Sequence, residues 1–148
     1  MEFDKDFLGK LFEQAVTNPR LRQNFDLRTS PADTSQRMLN ALLPGTKVPI
    51  HRHENTTETV ICLVGKLEEI IYEEVNEYIY EATSCCDDVI RQKSFKEVSR
   101  QILSPAEGKF GIQIPAGAWH AINVIEPSVI FEAKDGAYNE YGNTTDKE

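Results

Sequence analysis

Two histidines that could bind a metal ion are separated by one residue. His51 and His53 lie in a stretch predicted to be a β-strand, where side chains at positions i and i+2 point to the same face. Both imidazoles therefore face one point, and neutral imidazole is the commonest protein ligand of transition metals. Glu58 follows across a short loop, at the start of the next predicted strand, so a hairpin would bring its carboxylate to the pair. These three residues predict a site for a divalent metal ion.

The third and last histidine of the chain, His120, lies in a second motif. The segment from Gly45 to Gly65 reads Gly-x5-His-x-His-x4-Glu-x6-Gly, and the later segment reads Pro115-x-Gly117-x2-His120. Together they resemble the two sequence motifs of the cupin superfamily. The resemblance implies a mainly β protein, a single cupin (double-stranded β-helix, or jelly-roll barrel). It also implies one divalent metal ion held by four residues, namely His51, His53, Glu58 and His120.

Such a ligand set constrains the chemistry without choosing the metal. Three neutral imidazoles and one carboxylate leave two positions open on an octahedral ion. Mixed nitrogen and oxygen ligation suits Fe, Mn, Ni or Zn in the divalent state. The open positions allow a substrate to chelate the ion, O₂ to be activated if the ion is iron, or a carbonyl to be polarised by a Lewis acid.

Other residues are candidates for acting beside the metal. Glu132 and Lys134 share one face of the last predicted strand, and they could act as acid and base if that face is the lumen, or be solvated if it is the outside. Arg37 and Arg52 are candidates for binding an anionic group such as a uronate or a sugar phosphate, or are ordinary surface arginines. Trp119, beside His120, is either a wall of the pocket or part of the core.

The remaining pattern predicts the elements that position these residues. Residues 3–16 carry an apolar stripe at helical spacing, which predicts an amphipathic N-terminal helix packed on the barrel. Short apolar runs separated by glycine and proline follow, which is typical of an all-β barrel or sandwich. Among them are 59–64, 66–74 and 78–81, read as separate strands. The polar stretch 84–107 is read as an insertion between two hairpins.

This pattern divides the chain into three parts. Residues 1–24 form the N-terminal helix and a linker, residues 25–137 form the cupin barrel, and residues 138–148 form a polar C-terminal tail. Barrel edges and the apolar helix need cover, so a homodimer is a further expectation.

Bulk properties exclude some partners. The formal net charge is −8 and the isoelectric point is about 4.9, which disfavours nucleic acid and anionic membrane surfaces. No signal peptide is visible, and no apolar run approaches the roughly 20 residues that a membrane helix needs. Cys62, Cys85 and Cys86 show no disulfide spacing, which favours free thiols and a cytoplasmic location.

A narrower resemblance covers most of the chain. The segments RLRQNFD, SQRMLNALLPGT, PIHRHENTTET, IPAGAWHAI and FEAKDGAY are similar to the WbuC-type cupin-fold metalloproteins, small bacterial proteins often associated with surface-polysaccharide gene clusters. The resemblance implies a metal-binding cupin. We expect it to act on or bind a small polar ligand, such as a sugar derivative of surface-polysaccharide metabolism. Three functions stay open: Lewis-acid isomerase-type chemistry, a non-haem iron dioxygenase, and a metal-dependent sugar-binding module without turnover.

Overall fold

The fold is one helix followed by antiparallel strands. The computed structural model describes residues 1–82, 87–136 and 143–145. The predicted mainly β architecture with an N-terminal helix is confirmed. In chain order the elements are α1 (Lys5–Thr17), β1 (Arg22–Asp26), β2 (Ser35–Leu42), β3 (His51–His53), β4 (Glu58–Ala82), β5 (Asp87–Leu103), a short 3-10 helix (Pro105–Glu107), β6 (Gly111–Ile114), β7 (Trp119–Asp135) and β8 (Asn143–Thr145).

Two long strands, β4 and β7, each take part in two sheets. The first half of β4 and the second half of β7 pair within a sheet of order β1-β2-β7-β4-β6. The second half of β4 and the first half of β7 pair within a sheet of order β8-β3-β7-β4-β5. Side chains of both sheets meet in one core, for example Val60, Ile130, Leu67 and Leu103.

A bulged segment bends β4 from one sheet to the other. The pairing of β4 with β7 changes register between Cys62 and Leu67, as β-bulges do where a strand turns a corner. Gly65 lies inside this segment with a φ of 95°, and a Cβ added there would lie 2.2 Å from the carbonyl oxygen of Pro127. Only glycine allows the two strands to approach so closely.

The helix α1 closes one side of the first sheet. Asp4 caps it by accepting a hydrogen bond from the backbone N–H of Phe7, and it ends at Thr17, before Asn18 and Pro19. Leu11 and Ala15 are buried against β2 and β7. Two residues of the predicted stripe, Phe3 and Val16, are exposed instead because they lie at its ends.

The three runs 59–64, 66–74 and 78–81, read from the sequence as separate strands, belong to the single strand β4. This strand pairs with β5 from Leu67 and Leu103 as far as Ala82 and Asp87. Most of the stretch 84–107 is therefore one arm of a long hairpin, and Cys85 and Cys86 lie outside the described residues. The two arms of this hairpin expose apolar side chains such as Tyr78 on β4 and Val89 on β5. The predicted homodimer stays a prediction.

The ends of the predicted domains fall within or next to strands. The boundary between 1–24 and 25–137 cuts across β1, which belongs to the first sheet. In the tail 138–148, the described residues Asn143–Thr145 pair with β3. Among the described residues, no helix combines the length and apolar character that a membrane crossing requires.

We expect Gly65→Ala to lower the free energy of unfolding by about 2 kcal/mol or more, because alanine is strained at this φ and its Cβ collides with backbone. Gly9→Ala is the matched control. Gly9 is helical and has open space around it, so this change should raise the free energy of unfolding by about 0.5–1 kcal/mol. Urea titrations of both variants measure the difference, and equal effects would contradict the close-approach argument.

Candidate metal centre

The four predicted ligands come together from three strands. His51 and His53 lie on β3, Glu58 is the first residue of β4, and His120 lies on β7 directly opposite His51. One ligand atom from each side chain can be chosen so that all four lie within 4.8 Å of one another. Ligands at about 2.1 Å from a shared ion can be up to about 4.2 Å apart, so small side-chain movements would complete the coordination.

Backbone contacts hold the histidine rings with their Nε2 atoms facing inward. Nδ1 of His51 lies 2.9 Å from the carbonyl oxygen of Pro49, and Nδ1 of His120 lies 2.9 Å from that of Ala118. A carbonyl oxygen only accepts, so each Nδ1 carries the proton and each Nε2 keeps a lone pair. The backbone N–H of Gly117 donates to the carbonyl oxygen of His53 at 2.8 Å, which ties the two sequence motifs together.

The Nε2 atoms of His53 and His120 lie against one carboxylate oxygen. Oε2 of Glu58 lies 2.9 Å from Nε2 of His53 and 3.2 Å from Nε2 of His120. Within the described residues, Oε2 of Glu58 and Nε2 of His120 are buried and have no hydrogen-bond partner. Electron pairs that face one another without a proton between them require a cation. The residues present therefore fit a divalent metal ion.

The protonation states also suit metal binding. Burial, with the neighbouring His120 as the next cause, lowers the pKa of His51 to about 4, so its ring is neutral at pH 7. Burial alone would raise the pKa of Glu58, but the imidazoles of His120 and His53 and the ammonium of Lys134 hold it well below its usual range. The site therefore offers a neutral imidazole at His51 and a charged carboxylate at Glu58, which are the metal-binding forms.

The four ligands lie in the wall of a cavity of about 250 Å³. Charged side chains beyond the ligands also line this cavity. They are Arg20, Arg22, Glu69, Glu132 and Lys134.

Two of these residues, Glu132 and Lys134, are the predicted acid and base. The face of β7 that carries them is the lumen, and Nζ of Lys134 lies 3.4 Å from Nε2 of His53. Burial and the neighbouring carboxylate of Glu58 raise the pKa of Glu132 to about 8. Glu132 therefore holds a proton near neutral pH. The roles of Glu132 and Lys134 in proton transfer stay a prediction.

Glu69 is a lumen residue that the sequence did not indicate. It is 1% exposed, and neither of its carboxylate oxygens has a hydrogen-bond partner within the described residues. Strict alternation from Glu58 predicts Val60, Cys62 and Val64 on the lumen face. The bulges before Leu67 reverse this parity, so Val64 is exposed while Glu69 points inward. In the sequence, only Gly65 indicates that the alternation of β4 is interrupted.

Arg20 and Arg22 are also lumen residues that sequence reasoning missed. They lie where the chain enters β1, far from the histidine motifs in sequence. The loop after β2 connects them to the site, since Nη1 of Arg22 donates to the carbonyl oxygen of Lys47 at 3.0 Å. No local pattern signals this contact, because it depends on tertiary structure.

The three predicted substrate-binding residues do not reach the cavity. Arg37 bonds to Asp33 at 3.1 Å and to the carbonyl oxygen of Leu27 at 3.3 Å. Trp119 alternates with His120 and so points to the opposite face, where Arg52 stacks over its ring at 4.7 Å. None of the three lines the cavity that contains the metal site, and ligand binding by Arg37, Arg52 or Trp119 stays a prediction.

The buried thiol of Cys62 belongs to the core. Its Sγ donates to the carbonyl oxygen of Val64 at 3.4 Å, and burial raises its pKa to about 11. A thiol with a raised pKa is a poor nucleophile and a poor metal ligand, so Cys62 packs rather than reacts.

Comparison with known proteins identifies a family and a fold. A family model described as "Domain of unknown function (DUF6016)" matches residues 3–83. Curated proteins give no match.

Solved structures share the fold at low sequence identity. An oxalate oxidase in complex with the substrate analogue glycolate has a TM-score of 0.56 and 12% identity over 87% of this chain. KdgF from Halomonas sp. has a TM-score of 0.52 and 14% identity, covering 84% of this chain and 87% of its own. The capsular polysaccharide assembling protein CapF from Staphylococcus aureus has a TM-score of 0.55 and 17% identity, covering 89% of this chain and 33% of its own.

The likeness shows that the chain has the cupin jelly-roll fold, as the motifs predicted. The chain spans only 57% of the length of the oxalate oxidase that it matches.

The buried carboxyl of Glu69 predicts a pH dependence. Burial, followed by the charges of Glu58 and Glu132, raises its pKa well above the ordinary 4.5. The native state then holds a proton that the unfolded chain releases, so the free energy of unfolding of the metal-free protein should fall as the pH rises above about 4.5. Glu69→Gln should flatten this decline by an amount on the order of 1 kcal/mol at pH 8.

Urea titrations of chelator-treated protein between pH 4.5 and pH 8 measure this effect. Glu73→Gln, on the exposed part of β4, is the matched control and should leave the decline unchanged. Parallel curves for wild type and Glu69→Gln would show that Glu69 does not cause the decline.

Proposed function

We propose that this chain, which belongs to the family described as a domain of unknown function, DUF6016, binds one divalent metal ion. We propose further that it acts on a small polar ligand. The ligands of the ion are His51, His53, Glu58 and His120. The observation that carries the proposal is the buried carboxylate oxygen of Glu58. It lies 3.2 Å from the unprotonated Nε2 of His120, and neither atom has a hydrogen-bond partner in the described residues.

The favoured chemistry is of the Lewis-acid isomerase type. A divalent ion bound here supplies a Lewis acid that polarises a carbonyl or hydroxyl oxygen of the ligand. Glu132 holds a proton near neutral pH and can donate it to a ligand oxygen in the cavity. Lys134 lies in the same cavity and can stabilise negative charge on that oxygen. The cavity of about 250 Å³ suits a ligand of the size of one sugar.

Two observations support a sugar derivative as the ligand class. The sequence resembles WbuC-type cupins, which are associated with surface-polysaccharide gene clusters. One protein that shares the fold is described as a capsular polysaccharide assembling protein.

Metal content tests the first part of the proposal. Protein purified without chelator or histidine tag should contain close to one equivalent of Fe, Mn, Ni or Zn by mass spectrometry. His51→Ala/His53→Ala should lose it, because half of the ligands are removed. Glu54→Gln, an exposed neighbour of His53, is the matched control and should keep the metal.

The outcome also separates the alternatives. Failure of wild type to retain or take up any of the four ions would overturn the metal site. Iron as the resident metal would favour the dioxygenase over the isomerase-type chemistry, since iron is the ion of the four that commonly activates O₂.

Hydrogen exchange tests the chemistry. Isomerase-type catalysis removes a proton from the carbon next to a carbonyl and later returns one, and the predicted acid–base pair of Glu132 and Lys134 would accept and return this proton. Metal-loaded protein in D₂O should therefore introduce deuterium at that carbon in sugars such as galacturonate or galactose, followed by proton NMR. Glu132→Gln should slow the exchange about a hundredfold, because a positioned acid or base contributes on the order of 10²–10⁴-fold.

Arg91→Gln, on the exposed part of β5, should exchange at the wild-type rate. Binding of these sugars to the metal-loaded protein without any exchange would favour the binding module.

A further inference from the structure

The cavity has a charge balance that differs from that of the whole chain. The chain has a formal net charge of −8. The cavity, in contrast, contains three cationic side chains, Arg20, Arg22 and Lys134, against three carboxylates, Glu58, Glu69 and Glu132. A divalent ion adds two positive charges, so positive charge is in excess even with every carboxylate ionised. An excess of positive charge in a confined cavity favours the binding of a negatively charged ligand.

The two arginines are held in place without a carboxylate partner. Nη1 of Arg22 donates to the carbonyl oxygen of Lys47, and Oγ1 of Thr46 donates to the carbonyl oxygen of Arg20 at 2.7 Å. Within the described residues, neither guanidinium forms an ion pair within 4.0 Å. Both arginines line the same cavity. Burial and the charge of Arg20 lower the pKa of Arg22, while the charge of Glu132 acts in the opposite direction. Paired guanidinium groups with free donors fit a carboxylate.

Two further lining residues, Glu69 and Asn40, carry buried polar atoms. In the part of the chain that the structure describes, neither oxygen of the buried Glu69 has a hydrogen-bond partner, and Oδ1 of Asn40, another lining residue, has none either. Buried polar atoms are normally hydrogen-bonded, and leaving one unsatisfied costs about 1–3 kcal/mol. Groups aimed into a cavity and left without partners therefore indicate a ligand that carries hydroxyl groups.

We propose that the ligand of this cavity is a small hydroxylated organic anion, whose carboxylate binds Arg20 and Arg22 and whose hydroxyl groups reach Glu69. This inference rests on the proposed function, because the excess of positive charge includes the metal ion. It narrows the ligand from sugar derivatives in general to sugar acids and hydroxy acids. It also assigns to Arg20 and Arg22 the anion-binding role that the sequence suggested for Arg37 and Arg52.

Calorimetry on the metal-loaded full chain tests the proposal with matched probes. Galacturonate, gluconate and glycolate are each compared with a neutral counterpart, namely galactose, glucitol and ethylene glycol. At least one acid should bind about tenfold more tightly than its counterpart, as expected for one charge-assisted contact. Arg20→Gln and Arg22→Gln should each remove most of this preference while leaving metal content unchanged.

Further variants separate the two parts of the proposal. Arg91→Gln removes a positive charge far from the cavity and should keep the preference. Glu69→Gln should weaken the binding of the preferred acid severalfold at unchanged metal content. Absence of bound metal would overturn the proposed function itself. Metal-loaded protein that prefers no acid, or whose preference survives both arginine substitutions, would overturn the anion-binding inference alone.

Discussion

The whole site depends on unprotonated electron pairs held against one another. Nε2 of His120 and Oε2 of Glu58 are buried at 3.2 Å, and the imidazole proton that could separate them points instead to the carbonyl oxygen of Ala118. Such an arrangement is unfavourable unless a cation lies between the atoms. The packing of the surrounding strands must therefore supply the free energy that keeps these groups together. Metal binding would remove this repulsion and raise the free energy of unfolding.

The strands hold these groups together because β4 and β7 connect the two sheets. Glu58 opens β4, and His120 lies near the start of β7, so the ligands are fixed at opposite ends of the same antiparallel pair. The bend at Gly65 allows one strand to contribute Glu58 from the first sheet and Glu69 from the second. The core between the sheets contains apolar side chains such as Leu67 and Ile130, which makes this geometry rigid.

The sequence predicts the fold and the metal ligands because their signal is local. His51, His53 and Glu58 lie within one hairpin, so strand alternation and a short loop suffice to place them. Alternation fails for Glu69, since the bulges of β4 change which face each residue occupies. Strand alternation also does not indicate which arginines line the cavity. Arg22 reaches the cavity through contact with Lys47, whereas Arg37 is engaged by Asp33 on the outside.

The position of Trp119 has a practical consequence. It is the only tryptophan of the chain, it is buried, and it is the covalent neighbour of the candidate metal ligand His120. Cations of Arg52 and Lys93 lie over its indole at 4.7 and 4.5 Å, and Phe95 packs against its edge. The indole emission of this protein is thus a single intrinsic probe, attached to the strand that carries His120 and screened from solvent by a fixed set of neighbours.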